Sequence, residues 1–341
     1  MRALSSDWVG PAHGRYSQID IMKGFAILGV LFTHASIAPL PFKPLMYFHS
    51  DQAVPVFILL MGMNLAMSMR RRAEQGARSH YWRRLRRLAV PFAIVFAVSS
   101  AIAGWRWASV GVRPNLGPST LLGYLPFGGA GNYFIFIIVA FTVTGPALWA
   151  AYRRWPRASV ATMLAVDMAV ELGYGVLAPS VPHFSAYGGN PVRLLAAYAI
   201  GLWLADGWDL RARRNRWLLA FAAVSLTYML ATQFGHPLPL FPGSWQPQNV
   251  LGFGYTALLV MLGMRWLPAT ERGGWVVLGE LGRASYHIYL VQLLYFGFHQ
   301  RLALLPLAED LFWPSLLGWS FYQSDRWVGL SGTRKATAGI M

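Results

Sequence analysis

Long apolar runs, separated by short polar connections, follow one another along nearly the whole chain. A helix needs about 20 mostly apolar residues to cross the hydrocarbon core of a membrane. We predict nine good spans and a poorer tenth one, which carries Glu309 and Asp310 near its start and Pro314 in its middle. The spans lie at 20–39, 52–69, 86–104, 132–152, 158–178, 191–206, 216–234, 248–267, 281–299 and 302–322.

The amino-acid composition agrees with a membrane protein. Hydrophobic residues make up 55% of the 341 positions and charged residues 12%, whereas soluble proteins usually carry about 25% charged residues. These values exclude a disordered chain, a coiled coil and an ordinary soluble enzyme. The chain has no cysteine, which excludes disulfides, thiolate metal sites and cysteine nucleophiles. The predicted fold class is an all-α polytopic membrane protein with about ten transmembrane helices.

The basic residues, which give a net charge of +16, are concentrated in alternate connections between the spans. The connection between the second and third spans alone holds eight arginines. Because short cytoplasmic loops carry an excess of Lys and Arg, this pattern predicts a cytoplasmic N-terminus. The arginines lie in short clusters between apolar runs, so they do not indicate nucleic-acid binding. We expect a multi-pass protein of the cytoplasmic (inner) membrane, in contact with membrane lipids.

The sequence predicts one transmembrane domain at 1–322. The tail at 323–341 is polar and has no helical period, so we expect it to be disordered. The connection at 105–131 is rich in Gly and Pro and is a candidate for a re-entrant or surface segment. No motif for a metal site, a nucleotide-binding loop or a serine-hydrolase elbow is present. We therefore predict neither a metal site nor a permanently bound cofactor.

Two ionisable residues of the first span, Lys23 and His34, share one helix face. They are eleven residues apart, which is close to three turns at about 100° per residue. Ionisable groups are costly inside a bilayer and are therefore functional candidates. Lys23 either extends to the lipid headgroups or binds a ligand. His34 either bonds to a neighbouring helix or acts as a general base, because a neutral imidazole accepts a proton near pH 7.

A basic segment, YWRRLRRLAVPF, occupies positions 81–92 and is predicted to face the cytoplasm. Guanidinium groups match the geometry of phosphate oxygens, so the segment is a candidate grip for a donor with several phosphates, such as coenzyme A. The alternative is a topology signal or a contact with anionic lipids. The candidate residues are Arg83, Arg84, Arg86 and Arg87.

The fifth span carries two carboxylates, Asp167 and Glu171, which lie four residues apart and therefore on one face. They are candidates for binding a substrate hydroxyl or for relaying protons. The alternative is a structural hydrogen bond or an ion pair with Arg193. Weaker polar candidates within or beside the spans are His49, Asp51, Asn64, Tyr286, His287 and Gln292, and we interpret His287 as structural.

Four sequence blocks, in order, resemble the membrane-bound acyltransferase 3 family. The family opens with Asp, a basic residue and a His after ten more residues, and positions 20–34 follow this pattern with Lys as the basic residue. VPVFILLMGM at 54–63 and RLAVP at 87–91 are similar to the next two blocks. LGRASYHIYLVQ at 281–292 is similar to the last block, with Gln292 where the family commonly has His. The resemblance extends from about residue 16 to residue 295.

The resemblance implies an acyltransferase that transfers groups other than amino-acyl groups. The acyl group, commonly acetyl, moves from cytoplasmic acyl-CoA, the co-substrate, to a hydroxyl of a surface glycan, a lipid-linked sugar or a small metabolite. Lys23 and His34 are then the catalytic candidates, with His34 as general base. The four arginines and Lys23 hold acyl-CoA, and Asp167 or Glu171 orients the acceptor.

Three alternatives remain open at this point. Transfer could follow a ping-pong route through an acylated His34. A protein of a different class, a proton-coupled transporter or flippase of a glycolipid or hydrophobic metabolite, would use the buried ionisable groups as a proton relay. A non-catalytic membrane scaffold is the third alternative, but it does not explain the alignment of Lys23 with His34.

Overall fold

The computed structural model is all-helical within the residues that it describes, which are 16–35, 46–71, 77–114, 116–117, 120, 123–177, 188–236, 238, 248–298 and 306–329. Ten α-helices occur there, in the order of the ten predicted spans. The helices are α1 Ser17–His34, α2 Ala53–Arg71, α3 Ala77–Val110, α4 Phe134–Arg154, α5 Pro156–Leu177, α6 Leu195–Leu204, α7 Arg216–Gln233, α8 Phe253–Trp266, α9 Gly274–Phe298 and α10 Pro306–Val328. The all-α fold is confirmed.

Four segments among the described residues are long and apolar enough to cross a membrane. They are Met46–Arg71, Tyr81–Val110, Phe134–Arg154 and Pro156–Val176. Two shorter apolar segments, Pro191–Leu204 and Val250–Trp266, consist of a 3₁₀ turn followed by α6 and α8. The membrane character of the chain is therefore supported. The number of crossings and the side on which the N-terminus lies stay predictions.

Helix α3 is longer than the predicted third span at 86–104, because it begins at Ala77 and continues to Val110. The basic segment at 81–92 is therefore part of this helix and not a loop. Arg and Leu, which dominate the segment, are strong helix formers. A helix distributes consecutive side chains around its surface, so the four arginines cannot all face the same neighbour.

Helix α10 continues past position 323, where the sequence predicts the start of a disordered tail. It ends at Val328 and is followed by Gly329, whose φ of +70° is typical of the glycine after a helix. The Asp325 carboxylate lies 3.2 Å from Nε2 of His287, which joins α10 to α9. This buried contact explains why the helix extends beyond the apolar run. The rest of the predicted tail, 330–341, lies outside the described residues.

Glycines allow two pairs of helices to pack at very short range. A Cβ atom added to Gly24 of α1 would collide with the backbone of α9, and one added to Gly282 of α9 would collide with the backbone of α1. Gly62 of α2 and Gly201 of α6 form an equivalent pair. Small residues at such contacts let helix backbones approach closely inside a membrane. The first pair places the Lys23 region of α1 directly beside the first third of α9.

Residues at the ends of several helices, some of them basic, contact one another at one end of the bundle. Arg70, near the end of α2, forms an ion pair with Asp206, which follows α6. Tyr152, near the end of α4, donates a hydrogen bond to the same carboxylate. Tyr16, which precedes α1, packs edge-on against Trp208 at a ring distance of 5.2 Å. The start of α1 and the ends of α2, α4 and α6 thus meet at one end, which we call the basic end.

Candidate active site

A cavity of about 180 Å³ lies between α1, α2, α3, α4 and α9. We call it the Lys23–Arg84 cavity, after the two cations in its lining. Most of the remaining lining is apolar, and no carboxylate belongs to it among the described residues. The other polar residues of the lining are Asn64, Thr142, Ser285, Tyr286 and Tyr289. The composition of this lining suits a ligand that is negatively charged at one end and apolar at the other.

One face of α1 lines this cavity and then continues to His34. Lys23, Ile27 and Val30 belong to the lining, and their spacing of four and three residues is that of a single helix face. His34 is the next residue on that face, four positions after Val30. The side chains of Lys23 and His34 are both half-buried. The face that they share is therefore directed toward the interior of the bundle.

Arg84 is the arginine of the basic segment that reaches this cavity. It occupies the same helix face as Leu88, one turn later, and both residues line the cavity. The Tyr286 hydroxyl donates a 3.0 Å hydrogen bond to the carbonyl of Leu88 and so ties α9 to α3 at this point. The other three arginines are exposed and absent from the cavity lining: Arg83, Arg86 and Arg87. The structure thus brings Lys23 together with one of the four candidate arginines.

His34, the last residue of α1, lies against the loop at 123–133. A Cβ atom added to Gly131 would lie 3.1 Å from Nε2 of His34 and 3.6 Å from the side-chain nitrogen of Gln292. The Phe296 ring packs edge-on against the imidazole, with centroids 6.3 Å apart. The carbonyl of Gly131 accepts a 2.9 Å hydrogen bond from Tyr289, which lines the Lys23–Arg84 cavity. His34 therefore lies beyond the Tyr289 side of that cavity.

The loop at 123–133 has its own set of hydrogen bonds. Oγ of Ser99 donates to the Phe127 carbonyl at 2.8 Å and accepts from the Phe127 amide at 2.9 Å. The side chain of Asn132 bonds both the amide and the carbonyl of Leu125. The amide of Gly129 donates to a backbone carbonyl of α9 at 2.7 Å. These bonds fix the loop between α3 and α9, and thereby fix the backbone that contacts His34.

The carboxylates of α5 lie elsewhere and bond to helix starts. One oxygen of Asp167 accepts a 2.8 Å hydrogen bond from the amide of Ala196, in the first turn of α6. One oxygen of Glu171 accepts a 3.0 Å hydrogen bond from the amide of Val250, which begins the 3₁₀ turn before α8. Both side chains are fully buried, and neither lines the Lys23–Arg84 cavity. Arg193, also fully buried, interacts electrostatically with both carboxylates.

The short length of the apolar segment that contains α6 gives a reason for a buried carboxylate at its start. Pro191–Leu204 is about 21 Å long at 1.5 Å per residue, which is shorter than the hydrocarbon core of about 30 Å. The first N–H groups of a helix have no partner within the helix, and inside a membrane they need one from the protein. Asp167 and Glu171 provide it, helped by Asn190 and Asn249, whose side chains accept from the amides two residues later. Substrate binding by the two carboxylates stays a prediction.

A family model described as an acyltransferase domain matches residues 16–322, which is nearly the whole chain. The chain belongs to the acyltransferase 3 family. No curated protein and no solved structure matches it significantly. Family membership and the apolar helices together indicate a multi-pass membrane acyltransferase. The match begins immediately before α1 and ends within α10, so every candidate residue named above lies inside the acyltransferase domain.

Several residues in and around the Lys23–Arg84 cavity are not candidates in the sequence. Thr142 is an uncharged residue in an apolar helix, and only the cavity identifies it. Ser285 and Tyr289 belong to the block at 281–292 that resembles the family, but only the cavity shows that they line it together with Lys23. Gly131 and Asn132 belong to the run FGGAGNY at 127–133, whose glycines already mark an irregular segment. Within the described part of the chain, no group of three or more His, Asp or Glu side chains could hold a metal ion.

Proposed function

We propose that this acyltransferase moves an acyl group, such as acetyl, from cytoplasmic acyl-CoA to a hydroxyl, as an integral protein of the cytoplasmic membrane. The acceptor is a surface glycan, a lipid-linked sugar or a small metabolite. The observation that carries the proposal is the face of α1 that passes from Lys23, beside Arg84, to His34. It connects a cationic binding region to a base candidate within one helix.

Lys23 and Arg84 bind the phosphates of acyl-CoA in this proposal. Two cations line the cavity without a carboxylate among the described lining residues, and a guanidinium can bond two phosphate oxygens at once. The rise of an α-helix separates Lys23 from His34 by about 16 Å. This separation lets the extended arm of the donor reach from the phosphate end toward the imidazole. The apolar side chains of Ile27 and Val30, which line the cavity, lie between them on the same face of α1.

His34 acts as the general base. The acceptor hydroxyl gives its proton to the imidazole while its oxygen forms a bond to the thioester carbonyl carbon. The carbon–sulfur bond then breaks, the sulfur leaves with the electron pair, and the imidazolium returns the proton to it. The acyl group ends as an ester on the acceptor oxygen, and free CoA is released. General-base assistance of this kind contributes about 10²–10⁴-fold to the rate.

The test is release of CoA from labelled acetyl-CoA by the purified protein in lipid nanodiscs, with water or an added alcohol as acceptor. We expect His34→Ala to lower the turnover of the folded protein by at least about 10²-fold. His236→Ala, which removes an exposed imidazole three residues after α7, is the matched control and should keep wild-type turnover. A folded His34→Ala variant with wild-type turnover would exclude His34 as the base.

A further inference from the structure

Gln292 of α9 is an unusual buried side chain. It is fully buried, and neither its side-chain oxygen nor its side-chain nitrogen has a hydrogen-bond partner among the described residues. Buried side-chain polar atoms in proteins usually have such partners. An amide that lacks them on both sides indicates a place where a group from outside the chain completes the hydrogen bonds.

The surroundings of Gln292 indicate which group that is. Its side-chain nitrogen and Nε2 of His34 are among the atoms nearest to the position that a side chain at Gly131 would take. Gly131 has a φ of +88° and no side chain, so nothing from this position separates the imidazole from the amide. The two polar groups thus converge on one backbone position at the end of α1. A small polar group bound there would contact both.

We propose that the amide of Gln292 holds the acceptor hydroxyl beside His34. This inference rests on the proposed function and adds to it the residue that positions the nucleophile. The hydroxyl donates its proton to the imidazole and accepts a hydrogen bond from the side-chain N–H of Gln292. As the proton moves to His34, negative charge develops on the oxygen, and the N–H stabilises it. A second lone pair of the oxygen remains available to attack the thioester carbon.

Gln52 provides a matched comparison within the same chain. It is also a fully buried glutamine, but its side-chain nitrogen donates to the Tyr47 carbonyl at 2.9 Å and its oxygen accepts from Thr256 at 2.7 Å. Replacement of Gln52 by Met breaks at least these two bonds within the protein. Replacement of Gln292 by Met breaks none among the described residues. The two variants should therefore differ in stability although they change the same side chain in the same way.

The first measurement compares the melting temperatures of Gln292→Met and Gln52→Met in nanodiscs without substrate. We expect Gln292→Met to melt at or above the wild-type temperature and Gln52→Met to melt below it. If the melting temperature falls as far for Gln292→Met as for Gln52→Met, the proposal is overturned, because the Gln292 amide would then have partners within the protein. This outcome does not depend on whether the acceptor is known.

The second measurement is hydrolysis of acetyl-CoA, in which water, the smallest hydroxyl, takes the place of the acceptor. Loss of one hydrogen bond predicts about a tenfold lower kcat for Gln292→Met, with an unchanged KM for acetyl-CoA. Gln292→His, which keeps a donor and an acceptor, should recover most of the lost kcat. A wild-type kcat in Gln292→Met would overturn the assignment, and so would a change confined to KM.

The outcomes separate this inference from the proposed function. If His34→Ala abolishes hydrolysis and Gln292→Met leaves it unchanged, His34 remains the base and the role of Gln292 is wrong. If the wild-type protein releases no CoA above the rate without protein, transfer from acetyl-CoA is wrong, and the role of Gln292 falls with it. If both variants lose turnover and Gln292→Met keeps its melting temperature, both assignments are supported.

Discussion

Two regions of the protein bury polar side chains, and they use them differently. In the carboxylate region, formed by Asp167, Glu171 and Arg193, each acid gives one oxygen to the start of a helix, and the arginine supplies opposite charge. In the region around His34, the amide of Gln292 has no partner among the described residues. The second oxygen of each acid also has no hydrogen-bond partner among the described residues, so the contrast is between side chains that are held by one bond and an amide that is held by none.

Burial of an ionisable group does not by itself identify a functional site. In the sequence, Asp167 and Glu171 are as conspicuous as His34, because all three lie in apolar spans. The structure distinguishes the two carboxylates from His34, because one oxygen of each carboxylate accepts a hydrogen bond from a backbone amide at the start of a helical segment, at Ala196 and at Val250. The carboxylates therefore satisfy backbone groups.

The largest expected effect tests the structural role of the carboxylate region. Asp167→Leu removes a partner of the Ala196 amide and a counter-charge of the buried Arg193. Loss of a buried hydrogen-bond acceptor typically costs about 1–3 kcal/mol, and more for a charged group, and loss of the electrostatic attraction to Arg193 adds to this cost, so thermal unfolding in nanodiscs should show a large loss of stability. Asp209→Leu, in an exposed loop, is the control and should change stability little.

The turnover of Asp167→Leu tests whether this carboxylate also acts on the substrate. The fraction of Asp167→Leu that remains folded should release CoA from acetyl-CoA at the wild-type rate. If a stable Asp167→Leu protein instead loses turnover while its melting temperature is unchanged, the carboxylate acts on the substrate and the contrast between the two regions is wrong.

A smaller effect is expected at the entrance of the Lys23–Arg84 cavity. Arg84→Gln removes a charged partner of the donor phosphates, and a loss of about 1.4 kcal/mol corresponds to a tenfold higher KM for acetyl-CoA. Arg83→Gln, a neighbouring exposed position on the same helix, is the matched control and should change KM less than about twofold. An equal increase in both variants would mean that overall positive charge, not the cavity, attracts the donor.

The smallest effect is expected at the contact between α9 and α10. Asp325→Ala breaks the hydrogen bond to His287, which typically costs about 1–2 kcal/mol for a buried pair of this kind. We expect a modest fall in melting temperature with wild-type turnover, because this pair lies outside the Lys23–Arg84 cavity lining. If turnover falls more than the amount of folded protein does, His287 has a functional role and our interpretation of it as structural is wrong.

Much of the architecture is predictable because helix formation depends on local periodicity. The apolar runs predict the order of the ten helices, and the spacing of Lys23 and His34 predicts their common face. The boundaries are less predictable. The polar residues after position 322 do not predict the last turns of α10, because the contact that stabilises them joins Asp325 to His287, 38 positions earlier.

The candidate site is predictable only in part. The basic segment identifies the region of Arg84, but four adjacent arginines give no indication of which one faces the cavity, since that depends on how α3 is rotated against its neighbours. Gln292 is only a weaker candidate in the sequence, at a position where the resembling family commonly has His. Its importance arises from the partners that it lacks, and a sequence does not reveal hydrogen bonds that are absent.

The sequence alone determined the all-helical membrane architecture and the alignment of a cation with an imidazole on α1, because both follow from residue spacing within a single helix. Only the tertiary structure decided that Arg84 joins Lys23, that the α5 carboxylates bond helix starts and that Gln292 converges with His34 on Gly131. Each of these depends on which helices meet and how they are rotated. Such contacts are set by packing between segments that are far apart in the chain.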